Sequence, residues 1–154
     1  VDMKFHTIPE AVQDISNGKM IIVVDNEDRE NEGDIVMASE LITPDAINFM
    51  AKEARGLICV SINAKRAKDL YLEQMNRRNT SLHETAFTVS VDAKNNTTTG
   101  ISAFDRAETI RVLISENSSP EDLAKPGHIF PIVGKEGGVL RRAGHTEASM
   151  DLSV

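Results

Sequence analysis

The residues with the most chemical potential lie between positions 25 and 34, where the sequence reads DNEDRENEGD. Six of these ten residues carry carboxylates: Asp25, Glu27, Asp28, Glu30, Glu32 and Asp34. Two like charges about 4 Å apart repel by roughly 4 kcal/mol at an effective dielectric constant near 20, so a hard divalent cation would stabilise the cluster. Arg29 adds a planar guanidinium group that fits phosphates and carboxylates. The segment therefore indicates a metal or anion site, with a solvated acidic loop as the alternative.

A second group of candidate residues runs from Arg141 to Glu147, with the sequence RRAGHTE. The small residues Ala143 and Gly144 let backbone N–H groups approach an anion, while Arg142 and Thr146 supply side-chain donors for a phosphate. His145 is a candidate metal ligand that would complete a set of carboxylates. A basic turn with a surface histidine is the alternative.

The turn Lys125–His128, KPGH, places a histidine directly before a predicted strand. A side chain in that position can point into a site, although a structural histidine explains the pattern equally well. The acidic loop is not an EF-hand, because counting from Asp25 the sixth residue is Glu30 where that motif needs glycine. Neither a Walker loop nor a dinucleotide-binding fingerprint occurs in the sequence.

Composition sets outer limits on the function. The 154 residues carry a net charge of −7 and include one cysteine, Cys59. An acidic chain without a basic stripe argues against nucleic-acid binding, and no apolar run is long enough to span a membrane. A single cysteine excludes an internal disulfide and fits a reducing compartment, so we expect a cytoplasmic protein.

Hydrophobic periodicity predicts alternating strands and helices. We expect a buried strand at 20–24, a second strand at 35–38 that pairs with it, and further strands at 57–62, 86–91 and 128–133. Pro131 should make the last of these an edge or bulged strand. Helices are predicted after the start signals at Thr7, Thr43, Asn63 and Ser102, with a short one after Ser119. The expected fold class is α/β, as a single layered domain with a mixed β-sheet and flanking helices.

Four motifs, taken in their order along the chain, resemble one enzyme family. They are DNEDRENEGD, TTTGISAFDR at 97–106, KPGHIFP at 125–131 and GGVLRRAGHTEA at 137–148. Together they are similar to 3,4-dihydroxy-2-butanone 4-phosphate synthase, a riboflavin-pathway enzyme that occurs alone or fused to GTP cyclohydrolase II. The resemblance extends from the first predicted helix to the end of the sequence.

The resemblance implies a lyase that uses Mg²⁺ or Mn²⁺ to convert ribulose 5-phosphate to 3,4-dihydroxy-2-butanone 4-phosphate and formate. It implies that Glu30 and His145 bind the metal and that Glu30 and His128 act in catalysis. It also implies homodimers with sites near the subunit interface. The residues implied to contact the substrate are Arg29, Glu30, Asp34, Arg142, Ala143, Gly144, His145 and Thr146.

The sequence departs from the family pattern after the GHTEA motif. Family members continue to a further strand that carries an essential glutamate, whereas this sequence stops at Val154. We therefore expect residues 1–154 to form a synthase-like domain that lacks its C-terminal segment. The apolar spacing of Ala148, Met150, Leu152 and Val154 predicts a last helix or strand.

Two other functions remain open on the sequence alone. One is a non-catalytic, acidic metal-binding or interaction module, and the other is a different sugar-phosphate isomerase or aldolase. Release of formate from ribulose 5-phosphate separates the synthase from both.

Overall fold

Residues 5–153 are described in a computed structural model, and their strands form two sheets. Strands β1 (Ile21–Val24) and β2 (Gly33–Val36) make an antiparallel pair. Strands β3 (Cys59–Ile62), β4 (Val91–Ala93) and β5 (Leu123–Val133) form the second sheet in the order β3-β5-β4. Strand β5 runs parallel to β3 and antiparallel to β4, which confirms the predicted mixed sheet.

The helices begin where the sequence predicts them. They are α1 (Ile8–Ser16), α2 (Pro44–Phe49), α3 (Ala64–Asp69), α4 (Ala103–Ile114) and α5 (His145–Asp151). The Thr7 backbone N–H donates to the Glu10 carboxylate at 2.8 Å while the Thr7 hydroxyl accepts from the Glu10 N–H, so the first turn of α1 is capped reciprocally. A wider helical turn, Met50–Ala54, continues α2. Within residues 5–153, no helix has both the length and the apolar character that a membrane crossing requires.

The hydrophobic core joins the three-stranded sheet to the helices around it. Its fully buried members include Ile47 of α2, Val91 of β4, Leu113 of α4 and Ile129 of β5. These side chains form one continuous cluster with residues of β3 and α3. Continuity of the core across both halves of the sequence supports a single layered unit, as predicted.

The position of β5 corrects the prediction made from Pro131. Strand β5 lies in the centre of its sheet, so the edge alternative is wrong. Its register against β4 shifts between Val91 and Asp92, which agrees with the bulged alternative. On the side facing residues 86–91, the Val133 N–H donates to the Ala86 carbonyl at 3.0 Å and the Thr88 N–H donates to the Pro131 carbonyl at 2.9 Å. The next bond of an antiparallel ladder would need an N–H on Pro131, which proline lacks. The strand predicted at 86–91 is therefore reduced to isolated bridges, and regular pairing starts only at Val91.

The first strand is also less buried than predicted. Ile22 is 71% exposed and Val24 is 46% exposed, so β1 is covered on one face only, as is common for antiparallel pairs. The acidic loop connects β1 to β2, as expected from the sequence. The last helix, α5, confirms the helical alternative for the final apolar pattern, and Val154 lies outside the described residues.

Candidate metal and substrate site

The acidic loop is organised around one carboxylate, that of Asp25. Its oxygens accept hydrogen bonds from the Arg29 guanidinium at 2.8 Å, the Glu30 N–H at 3.0 Å and the Glu32 N–H at 3.1 Å. Burial raises the pKa of Asp25, but these donors outweigh burial and hold its pKa well below the ordinary range. Asp25 is therefore ionised at neutral pH, and it folds the loop back over the end of β1.

The structure brings three potential metal ligands together. Oxygen atoms of Asp25 and Glu30 and a ring nitrogen of His145 all lie within 4.8 Å of one another. Ligands of an octahedral Mg²⁺ at about 2.1 Å would be separated by roughly 3 to 4 Å, so small side-chain movements suffice to close the set. Two carboxylates and an imidazole suit Mg²⁺ or Mn²⁺ chemically. The predicted ligands Glu30 and His145 are thus neighbours, and Asp25 is an addition that the sequence did not single out.

Charge balance in this cluster comes from Arg29. Its Nη1 contacts the Glu30 carboxylate at 2.8 Å as well as that of Asp25. A bound divalent cation would compete with the guanidinium for Glu30, which would release Arg29 for another anion. Arg29 therefore has the position and the charge expected of a substrate contact next to a metal.

His145 is placed by the start of α5, where Gly144 is the residue before the first turn. The His145 Nε2 lies 3.2 Å from the Glu32 carbonyl oxygen, and its Nδ1 lies 4.0 Å from the Asp34 carboxylate. The side chain of Asp34 is 55% exposed, so this carboxylate remains open to a ligand. Helix α5 thereby joins the basic Gly-containing loop to the acidic loop.

Arg142 has partners inside the protein. Its Nη1 donates to the Glu147 carboxylate at 2.6 Å, and its Nη2 donates to the His83 carbonyl at 3.0 Å. A Cβ atom at Gly144 would overlap the Arg142 guanidinium, so a larger residue there would displace the guanidinium from its present position. The guanidinium is held in one orientation, and part of its donor capacity stays available. Ala143 is exposed, whereas Thr146 is buried.

The two loops open onto a cavity of about 1190 Å³. Glu30, Asp34, Arg142 and His145 are among its polar lining residues, and residues of β2, β3, α2 and α4 also line it. The thiol of Cys59 is exposed in this cavity. Partial withdrawal from water, together with the Asp34 carboxylate, raises the pKa of Cys59 to about 11. The cavity is large enough for a sugar phosphate and its metal.

His128 belongs to a different place in the fold. It lies on β5, where it contacts Asp92 of β4, and it is not among the described residues that line the cavity. Ile132, which does line the cavity, lies four residues further along the strand, a distance of about 13 Å. Within one chain the structure thus places Glu30, Asp34, Arg142, His145 and Thr146 along the cavity, and Arg29 beside Glu30. Ala143, Gly144 and His128 are not among the described residues that line it.

The comparisons with known proteins give one consistent answer. Residues 9–154 match the family model of 3,4-dihydroxy-2-butanone 4-phosphate synthase. The chain belongs to this family. It is 59% identical over 145 residues to a protein of Helicobacter hepaticus named 3,4-dihydroxy-2-butanone 4-phosphate synthase, covering 94% of this chain and 41% of the relative. It is 57% identical over 154 residues to the riboflavin biosynthesis protein RibBA of Aquifex aeolicus, covering 99% of this chain and 38% of that one.

Solved structures of the synthase family share the fold. One, described as a 3,4-dihydroxy-2-butanone 4-phosphate synthase in complex with two magnesium ions, superposes with a TM-score of 0.93 at 43% identity and covers 96% of this chain and 69% of its own. Another, RibBX from A. baumannii, described as a two-domain synthase, gives a TM-score of 0.91 at 45% identity and covers 96% and 44%. This chain spans about two fifths of the length of the curated relatives named above.

Proposed function

We propose that this member of the synthase family converts ribulose 5-phosphate to 3,4-dihydroxy-2-butanone 4-phosphate and formate, with a divalent metal as cofactor. The observation that carries the proposal is that Glu30 and His145 of the Asp25–Glu30–His145 cluster line the same cavity as Arg142 and Thr146. A sugar phosphate has two chemically different ends, and this site has one half suited to each.

The acidic half suits the reacting end of the sugar. A bound Mg²⁺ or Mn²⁺ would act there as a Lewis acid toward the hydroxyl and carbonyl oxygens. Glu30 and Asp34 supply carboxylates beside the same position, where they can accept or return protons during enolisation. The description of one solved relative as a complex with two magnesium ions supports Mg²⁺ as the natural choice.

The basic half suits the phosphate. Arg142 is fixed in direction by Glu147 and His83, and the Thr146 hydroxyl and the backbone of residues 143–145 follow it in the chain. Arg29, which contacts Glu30 in the acidic loop, adds a second guanidinium. Binding energy from the phosphate, which does not react, would hold the sugar in the orientation that the reaction requires.

The separation of His128 from the cavity supports a homodimer in which one subunit supplies His128 to the site of the other. The start of α4 and the loop before it present two exposed apolar side chains, Phe104 at 75% and Ile101 at 53% exposure, which suit a subunit contact. Some curated relatives are RibBA proteins, so fusion to a cyclohydrolase in the natural protein is part of the proposal. The single cysteine supports a cytoplasmic location, although relatives from Arabidopsis thaliana are described as chloroplastic.

The test is a direct assay for formate. Ribulose 5-phosphate is incubated with Mg²⁺ and either this chain or a version extended by the C-terminal segment expected from the family pattern, and formate is measured with a coupled dehydrogenase. Formate should appear with the extended version, should require the metal and should be lost in the Glu30→Gln variant. Glu27→Gln is the matched control, because Glu27 is an exposed acid of the same loop outside the ligand cluster.

The same assay separates the alternatives. Consumption of ribulose 5-phosphate without formate would favour a sugar-phosphate isomerase or aldolase. Metal binding without consumption of the sugar phosphate would favour the non-catalytic metal-binding module.

A further inference from the structure

Two sequence motifs meet at a residue that belongs to neither of them. Asp92 lies on β4, where Gly100 of the TTTG turn and Gly127 of the KPGH motif both approach it. The KPGH motif belongs to β5 and does not form the separate turn predicted from the sequence. One Asp92 oxygen accepts the backbone N–H of His128 at 2.8 Å, and the other lies 2.8 Å from the His128 Nδ1. The Asp92 carboxylate therefore contacts both the main chain and the ring of the same histidine.

This arrangement selects one tautomer of the imidazole. An ionised carboxylate can only accept hydrogen bonds, so the His128 Nδ1 must carry the proton. In the neutral ring, Nε2 is then left with a free lone pair. The His128 side chain is 40% exposed, whereas the Asp92 side chain is 13% exposed. The unprotonated Nε2 therefore belongs to the more exposed of the two residues.

Two glycines, Gly100 and Gly127, allow other parts of the backbone to approach Asp92 closely. A Cβ atom at Gly100 would overlap the Asp92 carboxylate, and one at Gly127 would overlap the backbone at Val91 and Asp92. The Gly127 N–H also donates to the Ser90 hydroxyl at 3.1 Å. Gly100 thus packs against the Asp92 carboxylate and Gly127 against the backbone that carries it, which leaves Asp92 little freedom to change partner.

The TTTG turn is itself held in place by a residue of α4. The buried Asp105 carboxylate accepts the Thr98 N–H at 3.1 Å, the Thr98 hydroxyl at 2.9 Å and the Gly100 N–H at 2.8 Å. Asp105 therefore holds Gly100 in place against Asp92. The orientation of the histidine ring is determined by a chain of contacts that begins in α4.

We propose that Asp92 is a positioning residue, which fixes the tautomer and direction of His128 so that Nε2 can exchange a proton with the substrate. The inference deepens the proposed function and rests on it only where turnover is concerned. A carboxylate that is hydrogen-bonded to a catalytic histidine commonly fixes its tautomer and orientation, and loss of this carboxylate lowers turnover much more than substrate affinity.

The tautomer can be measured without any catalysis. The chain has four histidines, so a His128→Gln variant identifies the ring signals of His128 in long-range ¹⁵N–¹H spectra. In the unmodified protein, Nδ1 should be protonated and Nε2 unprotonated at a pH where the ring is neutral. In Asp92→Asn the amide can donate to Nδ1, so the proton should move to Nε2. The proposal is overturned if the unmodified protein carries its proton on Nε2, or if Asp92→Asn leaves the tautomer unchanged.

Kinetics provide the second test, in whichever version of the protein releases formate. Asp92→Asn should lower kcat at least tenfold and change KM less than threefold. In a His128→Gln background the same substitution should have no further effect on kcat, because a positioning residue acts only through its partner. An equal loss of kcat in both backgrounds would show a general structural role and would overturn the proposal.

Asp122→Asn is the matched control. Asp122 also accepts one backbone N–H and one side-chain donor, both from Ser119, but it has no contact with a histidine. Its replacement should leave the His128 spectrum and kcat unchanged. If wild-type protein releases no formate while the tautomer shift occurs as expected, the proposed function fails and the positioning role of Asp92 stands.

Discussion

The Glu147 carboxylate, which is 1% exposed, lies 2.6 Å from the Arg142 guanidinium. The other Glu147 oxygen accepts the Lys135 N–H at 2.9 Å, so this one side chain ties α5 to both ends of the Gly-containing loop. A buried carboxylate is stable only when it is paired and hydrogen-bonded. The same contacts that satisfy Glu147 also hold Arg142 in a fixed direction beside the cavity.

Replacing Glu147 should therefore destabilise the protein strongly. Glu147→Gln keeps the shape of the side chain but leaves the Arg142 charge without its partner, at a cost of about 3 kcal/mol. For a chain of this length, that corresponds to a fall in Tm of roughly 6 to 12 °C. Glu108→Gln is the control, because it breaks the more exposed Arg111–Glu108 pair and should cost less than about 1 kcal/mol. Similar falls in Tm for both variants would contradict this account of Glu147.

Arg142→Lys tests the proposed role in phosphate binding. Lysine keeps the charge but lacks the planar fork that spans the Glu147 carboxylate and the His83 carbonyl. Affinity for ribulose 5-phosphate should fall at least tenfold, about 1.4 kcal/mol, while affinity for ribulose without phosphate should hardly change. Titration calorimetry with both sugars measures the difference, and equal losses would assign Arg142 a purely structural role.

Metal affinity should depend on all three members of the cluster, including the one the sequence did not single out. Glu30→Gln, His145→Ala and Asp25→Asn should each lower the affinity for Mn²⁺ at least tenfold, about 1.4 kcal/mol. Asp25→Asn should also lower Tm, because Asp25 holds the loop through Arg29 and two backbone N–H groups. Glu27→Gln serves as the control in the same calorimetric titrations. Unchanged affinity in both Glu30→Gln and His145→Ala would contradict the metal assignment.

The sequence predicted the elements that depend on local signals and missed features set by distant contacts. The reciprocal cap at Thr7 and Glu10 is a local pattern, and the structure confirms it. Of the two alternatives predicted for β5, the edge position is wrong, because Pro131 disturbs only the side facing residues 86–91 while its other side pairs with β3. The bulged alternative agrees with the register shift against β4. In the site, Glu30 and His145 were predicted from family motifs and do lie together. The role of Asp92 depends on a neighbour 36 positions away, for which one sequence offers no signal.

Cys59 should react slowly despite its exposure. Its pKa is raised from 9.0 to about 11 by partial burial and by the Asp34 carboxylate, so about 100-fold less thiolate is present at neutral pH. The greater nucleophilicity of a more basic thiolate offsets part of this, which leaves alkylation about tenfold slower than in an unfolded peptide. The rate with iodoacetamide should still rise at pH 9.5, and Asp34→Asn should make Cys59 more reactive. A plateau below pH 9.5 would contradict the raised pKa.

Acid stability should depend on Asp105. Burial raises the pKa of the Asp105 carboxyl, but the hydrogen bonds from Gly100 and Thr98 lower it by more than burial raises it. The net pKa therefore lies below the ordinary value of 3.8. A group with a lowered pKa in the folded state stabilises the protein above its unfolded pKa and loses that contribution as pH falls through the folded value. Asp105→Asn should therefore lower Tm at pH 7, and the difference from the unmodified protein should shrink below about pH 4.

Asp69→Asn is the control, because Asp69 also has a lowered pKa but forms an exposed pair with Lys65. In thermal melts at high salt, the effect of Asp69→Asn should vanish and that of Asp105→Asn should persist; loss of both effects would show that Asp105 acts as an ordinary surface charge.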